Sequence, residues 1–455
     1  MSMLSAVLNR NIAYNYEDAF GAKDCTSRAM TEAIADWFGL YYNQNKSEKE
    51  DPCQRIPYVV VNKLTKTMFG EYSAASDDEF AQTVLDAVGE KRKNAMQMAL
   101  IGGECIVKPV PTRGGFLFVT IPRNNILVFG RDANGEMTDI GTIEKTTSGG
   151  AYYTLLERRT VDANGYLTIQ NTLYKSMTGG NIGMPVSLNT LSQYAELQPV
   201  YRYREPMHSL GAVMLKVPLA NCVDGSNDGI SVYAAAVGLI HNININEAQI
   251  NGEFSRGESR IITSADMLKR DENGTRLLRD HLFTGLDDDP ESIGITIFSP
   301  DLREQSFLSR KQEYLRNVES VIGLKRGLLS EVEAEERTAT EITSSAGDYN
   351  LTIIDLQEMW ETAVKKTLVL CGKLGRMYKI PGAHDLSEDD VSIDWGNGIL
   401  YDEDKTWEDY KNMVASGMLK PEIALAWRFN MPAETPADLE AVRKRYMPDI
   451  EGAEM

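Results

Sequence analysis

The sequence predicts an α+β protein in which a mainly antiparallel sheet lies between helices and is followed by one very long helix. Alternating and β-branched runs, separated by Gly-rich turn signals, fill the region from Cys105 to about Val217. Such runs are typical of hairpin-connected strands. Apolar residues at helical spacing precede and follow this region. With 455 residues and 42% hydrophobic residues, the chain is long enough to bury more than one core.

Short helices are predicted in the segment before the sheet. The first 55 residues are mixed and contain a polar break, NQNKSEKEDP. Helical spacing predicts helices over Ser27 to Gly39, Ile56 to Phe69 and Asp77 to Gln97.

Three stretches that begin Asp-x-Asn-Gly lie at Asp132, Asp162 and Asp271. A calcium loop requires a Gly at its sixth position and a Glu at its twelfth, and all three stretches lack both. Asn-Gly after Asp is favoured in tight hairpin turns that need a positive φ. These stretches therefore predict hairpins.

After the sheet the pattern returns to helices around a small insertion. Ser231 is a candidate cap for a helix that runs to about Phe254. A short α/β module then extends from Arg260 to Ser299, with the strands RIITS and GITIFSP and a basic-acidic helix between them. A second helix runs from Leu302 to about Ile322.

The most informative segment is a Gly- and Glu-rich loop, Gly323 to Arg337, that leads into the long helix. Apolar or small residues recur there with a 3.5-residue period, which requires a partner along the whole helix. They are Ile342, Ala346, Tyr349, Ile353, Leu356, Trp360, Ala363, Thr367, Leu370 and Leu374. Such a helix spans roughly 55 Å. Gly347 and Gly372 are the points where it can bend or end.

The C-terminal part predicts one strand and three short helices. A Pro/Gly linker after Tyr378 precedes the strand VSIDW. The helices are predicted over Asp402 to Ser416, Lys420 to Arg428 and Pro436 to Arg445.

Composition excludes several classes of function. The formal net charge of −19 is opposite to that of proteins that grip nucleic acid by its phosphates. The start of the chain lacks a signal-peptide layout, and no run is long and apolar enough to cross a bilayer, so we expect use in a cytoplasm. Five scattered cysteines and four scattered histidines predict reduced thiols and no zinc site.

Motifs for chemistry are missing. The sequence contains no G-x-x-x-x-G-K-[ST], G-x-S-x-G or H-E-x-x-H, so neither a cofactor nor a metal is predicted. The acidic run GLDDDPES, Gly285 to Ser292, could bind a hard cation such as magnesium or simply be solvated.

Five motifs in order resemble the portal (head–tail connector) proteins of tailed bacteriophages, of the siphophage type. They are VVVNKLTKTMFGE from Val59, ALIGGECIVKP from Ala99, DGISVYAAAVGLI from Asp228, TATEI from Thr338, and DVSIDWGNGILYDEDKTWEDY with SGMLKPEIAL downstream. The similarity extends from about Val59 to Leu425. One departure is that Asn242, Asn244 and Asn246 stand where the family often has an Asp in its first stem helix.

The resemblance implies a portal fold with an α/β wing, a helical stem, a small α/β clip, a long kinked helix and a short helical C-terminal crown. The implied parts are an N-terminal segment (1–55), wing (56–228), first stem helix (229–258), clip (259–300), second stem helix (301–323), tunnel loop (324–337), long kinked helix (338–378), linker with a wing return strand (379–400) and crown (401–455).

The function implied is that of a non-enzymatic ring, twelve subunits in the family, at one capsid vertex of the virion. Its channel passes double-stranded DNA during packaging and ejection without sequence specificity. Implied partners are the terminase large subunit, the head–tail adaptor, the major capsid protein and scaffold, with assembly in the host cytoplasm and no membrane.

The resemblance also implies sites. The DNA-facing tunnel loop would present Lys325, Arg326, Leu328, Leu329, Glu331, Val332, Glu333 and Glu335. The clip docking surface would include Arg260, Lys269, Arg270, Asp287, Asp288 and Asp289. Intersubunit or long-helix packing is expected from Ile342, Tyr349, Ile353, Leu356 and Trp360.

Some alternatives stay open at this point. Lys325 and Arg326 could contact phosphates or pair with the Glu cluster of a neighbouring subunit. An enzyme acting on nucleic acid or glycan would need paired carboxylates with raised pKa values in a pocket. A secreted β-rich adhesin would need a signal peptide and a sheet-dominated C-terminal half.

Overall fold

The computed structural model describes residues 16–44, 52–256, 260–264, 283–286, 296–298, 303–331, 339–396, 403–429, 431–433 and 435–447. The chain divides into two compact units. The first comprises Met1–Met68 and Ala74–Ser392, and the second comprises Phe69–Ser73 and Ile393–Met455.

Most of the predicted helices are confirmed within one turn. The helices are α1 (Arg28–Tyr42), α2 (Ile56–Met68), α3 (Glu79–Gly102), α4 (Val237–Arg256), α5 (Glu304–Ile322), α6 (Ala339–Tyr378), α7 (Glu403–Ala415), α8 (Pro421–Arg428) and α9 (Pro436–Tyr446). Capping residues determine several starts. Ser27 accepts a hydrogen bond from the Met30 N–H, and Asp78 accepts one from the Ala81 N–H, because each satisfies an N–H group with no partner inside its helix.

The predicted sheet region is confirmed as antiparallel. Its strands are β2 (Glu104–Thr112), β3 (Gly115–Pro122), β4 (Ile126–Arg131), β5 (Met137–Ser148), β6 (Ala151–Val161), β7 (Leu167–Ser176), β8 (Met184–Val186), β9 (Val200–Arg202) and β10 (Val213–Lys216), and β1 (Ser73–Ala75) precedes them. One sheet has the order β4-β5-β6-β7-β8 with β9 also on β7, and another has the order β10-β2-β3.

The turns at Asp132 and Asp162 are hairpins, as the sequence predicts. Each Asp side chain accepts hydrogen bonds from the backbone N–H groups two and four residues later. Only Gly135 and Gly165, at φ +81° in both cases, take the positive φ. Each turn therefore ends in one glycine with left-handed backbone, and its other residues do not have a positive φ. The third stretch, at Asp271, lies outside the described residues.

The helix after the sheet begins later than Ser231. A 3-10 turn, Ala234–Ala236, precedes α4. The Ser231 hydroxyl instead donates to the Leu100 carbonyl at 3.1 Å and is buried. Ser231 therefore joins two segments of the chain and does not cap α4.

The insertion between α4 and α5 contains three described strands, one more than the sequence predicts. They are β11 (Arg260–Ser264), β12 (Phe283–Leu286) and β13 (Thr296–Phe298). β11 pairs with β12 in parallel and with β13 antiparallel. Gly285 and Leu286 of the acidic run belong to β12, whereas the rest of that run and the predicted helix lie outside the described residues.

The long helix is confirmed over 40 residues and continues through both Gly347 and Gly372. From Tyr349 onward, every residue of the predicted stripe is buried. Its partners are α3, α2, β10 and β2 of the same unit, so the stripe packs on a sheet and helices and not on one parallel helix. The side chains of Ile342 and Ala346 lie outside the described set.

The second unit is built around aromatic contacts. The rings of Tyr72 and Trp395 lie 4.8 Å apart. Tyr410 packs edge-on against Trp427 at 5.0 Å, and Phe429 stacks on Tyr446 at 4.2 Å. Such pairs stabilise a small core beyond their buried area, which here includes α7, α8 and α9. The return strand is β14 (Ser392–Asp394).

Two glycines mark the point where the turn between α3 and β2 meets the segment before α4. A Cβ atom on Gly229 would lie 2.4 Å from the Gly103 carbonyl oxygen, and one on Gly103 would lie 2.3 Å from the Gly229 carbonyl. Only hydrogen fits there. Arg123 seals this junction, since its Nε lies 2.8 Å from Glu104 and its Nη2 lies 3.3 Å from Asp228, with all three side chains buried.

A buried charged triad joins the two sheets, with Lys108 on β2 and Glu157 and Arg159 on β6. Glu157 lies 3.1 Å from Lys108 and 2.7 Å from Arg159, and all three are almost fully buried. Burial by itself raises the pKa of Glu157, but the charges and hydrogen bonds of Arg159 and Lys108 lower it to about 2.

Replacing Gly229 by Ala is expected to lower the free energy of unfolding by about 2 kcal/mol, because the methyl group meets rigid backbone. Thermal unfolding of the full chain measures this. Gly238→Ala on α4 is the matched control, since a Cβ there meets nothing within 4 Å and alanine favours a helix. Equal stability of both variants would contradict the close approach.

Glu157→Gln should destabilise the protein at pH 7 by a few kcal/mol, because two buried cations lose their counter-charge. The folded pKa of Glu157 lies below its ordinary value, so its stabilisation is present above about pH 4.5 and is lost as the pH falls towards 2. Urea midpoints between pH 7 and pH 3 should show the gap between variant and wild type narrowing with acid. A pH-independent gap would contradict the lowered pKa.

Candidate functional site

Helices α4 and α5 form a pair held by polar contacts along its length. Lys311 Nζ lies 2.7 Å from Glu247 and 3.2 Å from the Gln54 side chain. Further along, Arg303 makes two hydrogen bonds to Glu253, at 3.0 and 2.9 Å. Such two-point contacts fix orientation as well as distance. The pair therefore has a defined register.

The asparagines on α4 take different roles. Asn246 is buried and donates to the Phe307 carbonyl on α5 at 3.0 Å. Asn244 is buried and accepts from the Gln54 N–H at 3.0 Å, whereas Asn242 is exposed. Neutral amides therefore hold α4 against α5 and against the segment before α2.

Helix α5 ends in a glycine cap, and the predicted tunnel loop begins directly after it. The Gly323 N–H bonds to the Ser320 carbonyl, the Leu324 N–H bonds to the Glu319 carbonyl at 2.8 Å, and Gly323 has φ +77°. This is the Schellman arrangement, in which a left-handed glycine satisfies the last carbonyls of a helix. It reverses the chain directly after α5.

The Glu319 side chain then organises the loop that follows. One carboxylate oxygen accepts the backbone N–H groups of Gly327 (3.1 Å), Leu329 (2.5 Å) and Ser330 (2.9 Å). The other accepts the Ser330 hydroxyl at 2.7 Å. Glu319 is fully buried, and hydrogen bonds to a charged acceptor are roughly twice as strong as neutral ones. We call residues 324–330 with Glu319 the carboxylate-held turn.

The turn also contacts its neighbours. The Lys63 ammonium on α2 donates to the Leu328 carbonyl. Gln312 on α5 accepts the Glu331 N–H at 2.9 Å, and Thr352 on α6 donates to the Gly323 carbonyl at 3.3 Å. The carboxylate-held turn is thus fixed to three helices.

The structure brings together part of the predicted tunnel loop. Lys325, Arg326 and Glu331 are exposed, whereas Leu328 and Leu329 are half-buried in the carboxylate-held turn. Val332, Glu333 and Glu335 lie outside the described residues. On α6, Tyr349, Ile353, Leu356 and Trp360 are buried within the chain, and the Ile342 side chain is not described.

Little of the predicted clip surface falls within the described residues. Arg260 opens β11. Lys269, Arg270, Asp287, Asp288 and Asp289 lie outside the described ranges, so this docking surface stays a prediction.

Sequence reasoning missed Glu319 and Lys63. A signal for Glu319 was present, because it falls on the buried stripe of α5 with Leu315, Val318 and Ile322. A carboxylate on an apolar stripe, four residues before a glycine cap, indicates a buried acceptor of backbone N–H groups. Lys63 has no comparable signal.

A groove of about 860 Å³ lies beside α6 in the first unit. Its walls carry charges of both signs, with Asp355, Glu358 and Lys366 on the helix. Glu104 borders it, and burial raises the pKa of this carboxyl although Arg123 opposes the shift. Because Glu104 is engaged by Arg123 and by the Gly229 N–H at 3.3 Å, its role is structural.

Among the described residues, no helix combines the length and apolarity of a bilayer span. Within the same ranges, no group of three or more His, Cys, Asp or Glu side chains could hold a metal ion. All five cysteines are free thiols.

The chain is similar to one protein family and to solved structures. The model of the family described as "Phage portal protein, SPP1 Gp6-like" matches residues 42–445. Among solved structures, the chain is similar to the neck of a native GTA particle computed with C12 symmetry (13% identity, 85% of this chain and 92% of that chain, TM-score 0.44). It is also similar to the neck of an empty GTA particle computed with C6 symmetry (12% identity, 87% and 94% covered, TM-score 0.47). No curated protein matches the chain.

Lys63→Met should destabilise the protein by about 1 kcal/mol, because the Leu328 carbonyl loses a charged donor. A calorimetric melting temperature lower by about 2 °C would report this. Lys66→Met is the control, since Lys66 is exposed on the same helix. Equal melting temperatures for the two variants would show that the Lys63 contact contributes nothing.

Proposed function

The chain belongs to the SPP1 Gp6-like family of phage portal proteins, and on that premise we propose that twelve copies form a ring at one capsid vertex. The ring channel passes DNA during packaging and ejection. The observation that carries the proposal is the family match, which extends over residues 42–445 of 455. The role is that of a portal or connector component of the virion.

The order of elements supports this assignment. Two paired helices, α4 and α5, flank a small three-stranded sheet, and a turn then leads into the 40-residue helix α6. This matches the stem, clip, stem, tunnel loop and long helix that the family resemblance implies. In this proposal the sheets formed by β2 to β10 belong to the wing, and α7 to α9 form the crown.

Exposed apolar side chains support assembly into a ring. Large apolar side chains are exposed on all three helices that would surround the channel. They are Ile245 and Phe254 on α4, Leu308 and Val321 on α5, and Leu351 on α6. Single exposed apolar residues are ordinary, but four on the packed pair α4 and α5, with a fifth on α6, favour a contact surface. A heterologous contact repeated around an axis closes into a ring.

The charge balance supports a channel that does not grip DNA. With a formal net charge of −19, the chain repels a polyanion at long range. We place Lys325 and Arg326, both exposed, as the DNA-facing cations of the tunnel loop. Glu331, Val332, Glu333 and Glu335 belong to the same proposed surface.

The proposed partners are proteins of the same particle. The clip, residues 259–300, would dock the terminase large subunit and later the head–tail adaptor. The wing would contact the major capsid protein and scaffold, and assembly would take place in the host cytoplasm. These assignments rest on the family resemblance.

The proposed role is non-enzymatic. The best-buried carboxylates of the described residues are engaged in structural contacts. Glu104 and Asp228 face Arg123, Glu157 faces Lys108 and Arg159, and Glu319 faces backbone N–H groups. A general acid or base must instead be able to reach a substrate.

Native mass spectrometry with negative-stain imaging tests the ring. We expect a closed ring of about twelve copies with a central hole. Leu351→Arg should shift the population towards smaller species, because a charge replaces an apolar contact on α6. Leu117→Arg on β3 is the matched control, since the two leucines are 60% and 64% exposed.

A wild-type chain that stays monomeric across concentration and salt, even with capsid protein and scaffold added, would contradict the ring. Equal loss of assembly in both arginine variants would contradict the helical contact surface and leave the ring itself standing.

A further inference from the structure

We propose that Glu319 is a positioning residue that sets where Lys325 and Arg326 stand in the tunnel loop. The proposal rests on the proposed function, since it takes these two cations as the DNA-facing groups. Its structural half, the carboxylate-held turn, stands on contacts within a single chain. The two halves can therefore be tested separately.

Glu319 holds the turn at both of its ends. At the beginning, its main-chain carbonyl accepts the Leu324 N–H at 2.8 Å. At the end, its carboxylate accepts the N–H groups of Gly327, Leu329 and Ser330. Lys325 and Arg326 lie between these anchors, and a further bond from the Leu328 N–H to the Lys325 carbonyl closes the turn at 3.2 Å.

The charge of Glu319 makes the arrangement specific. A fully buried carboxylate is costly unless several donors satisfy it. In the described structure four donors reach it, three from the backbone and one from the Ser330 hydroxyl. Any conformation of residues 324–330 that removes these donors leaves a buried charge unsatisfied. The turn therefore has one strongly preferred shape.

The backbone conformation fits this role. Gly327 has φ +89°, a region that glycine enters without steric cost. It places its own N–H on the carboxylate directly after the two cations. Lys63 on α2 bonds to the same turn, and Thr352 on α6 bonds to Gly323 directly before it. The two exposed cations are consequently presented from a rigid base.

Amide hydrogen exchange on the full-length chain tests the turn. In Glu319→Ala, the amides of residues 324–331 should exchange about tenfold faster or more, because the N–H groups lose a charged acceptor. Glu319→Gln should give a smaller acceleration. Glu313→Gln on an exposed position of the same helix should leave these amides unchanged.

Exchange in the main sheet, Ala151–Val161, controls for folding. If Glu319→Ala loses protection there, Glu319→Gln and Ser330→Ala, which removes one of the four donors, carry the test. Unchanged exchange at residues 324–331 in variants with an intact sheet would overturn the carboxylate-held turn.

A double-mutant cycle tests the positioning role. The readout is the length of DNA packaged in particles that carry each portal variant. We expect Lys325→Ala/Arg326→Ala and Glu319→Gln to reduce packaging, and the triple variant to be no worse than the pair. Additive losses would overturn positioning, because Glu319 would then act independently of the cations.

Two other outcomes also decide the matter. Normal packaging in Glu319→Gln despite faster exchange would overturn the positioning role and leave the turn as a local stabiliser. Normal packaging in Lys325→Ala/Arg326→Ala would overturn the DNA-facing assignment of the cations, and with it what Glu319 is proposed to position. A failure of the ring appears in native mass spectrometry and leaves the exchange result unaffected.

Discussion

The close approach of Gly103 and Gly229 is the constraint on which the first unit depends. It places the turn between α3 and β2 directly against the segment that leads into α4, with room for hydrogen alone. Buried charges then seal the contact, since Arg123 lies between Glu104 and Asp228. The Ser231 hydroxyl and the Val232 N–H both bond to the Leu100 carbonyl, at 3.1 and 3.0 Å. The direction in which α4 leaves the sheet is therefore fixed before α4 begins.

Buried carboxylates organise this protein in two different ways. Glu157 is compensated by one cation from each of two sheets, so its contribution depends on pH and adds to the stability of the contact between them. Glu319 is compensated by backbone N–H groups of one short segment, so its contribution determines the shape of a turn. Both follow from the cost of leaving a buried charge without partners. In the proposed ring, the first would stabilise the wing and the second would shape the tunnel loop.

The long helix α6 has a buried face within the first unit and an exposed position, Leu351, outside that face. From Tyr349 to Leu374 its apolar stripe is buried against α2, α3, β2 and β10 of the same chain. From Tyr349 onward the stripe is therefore fully engaged in contacts within the first unit. Leu351, which stands off the stripe, remains exposed. Assembly into a ring would have to use exposed positions such as Leu351 and not the buried stripe.

The sequence by itself determined the elements whose signals are local. The Asp-x-Asn-Gly turns at Asp132 and Asp162, the helices predicted from Ser27 and from Asp77 and the 3.5-residue stripe of α6 follow from neighbouring residues, because hydrogen bonds within a few positions and side-chain periodicity decide them. The ordered motifs also pointed to the family that the match over residues 42–445 bears out.

Only the tertiary structure decided how distant segments meet. The motifs around Gly103 and Asp228 lie far apart in the sequence, and nothing local shows that they form one junction. Ser231 was a candidate helix cap but bonds across this junction. Leu328 and Leu329 were expected in the DNA-facing tunnel loop, and only the structure shows that they are half-buried in the carboxylate-held turn. Burial and long-range hydrogen bonds depend on which surfaces pack together, and that information is spread over the whole chain.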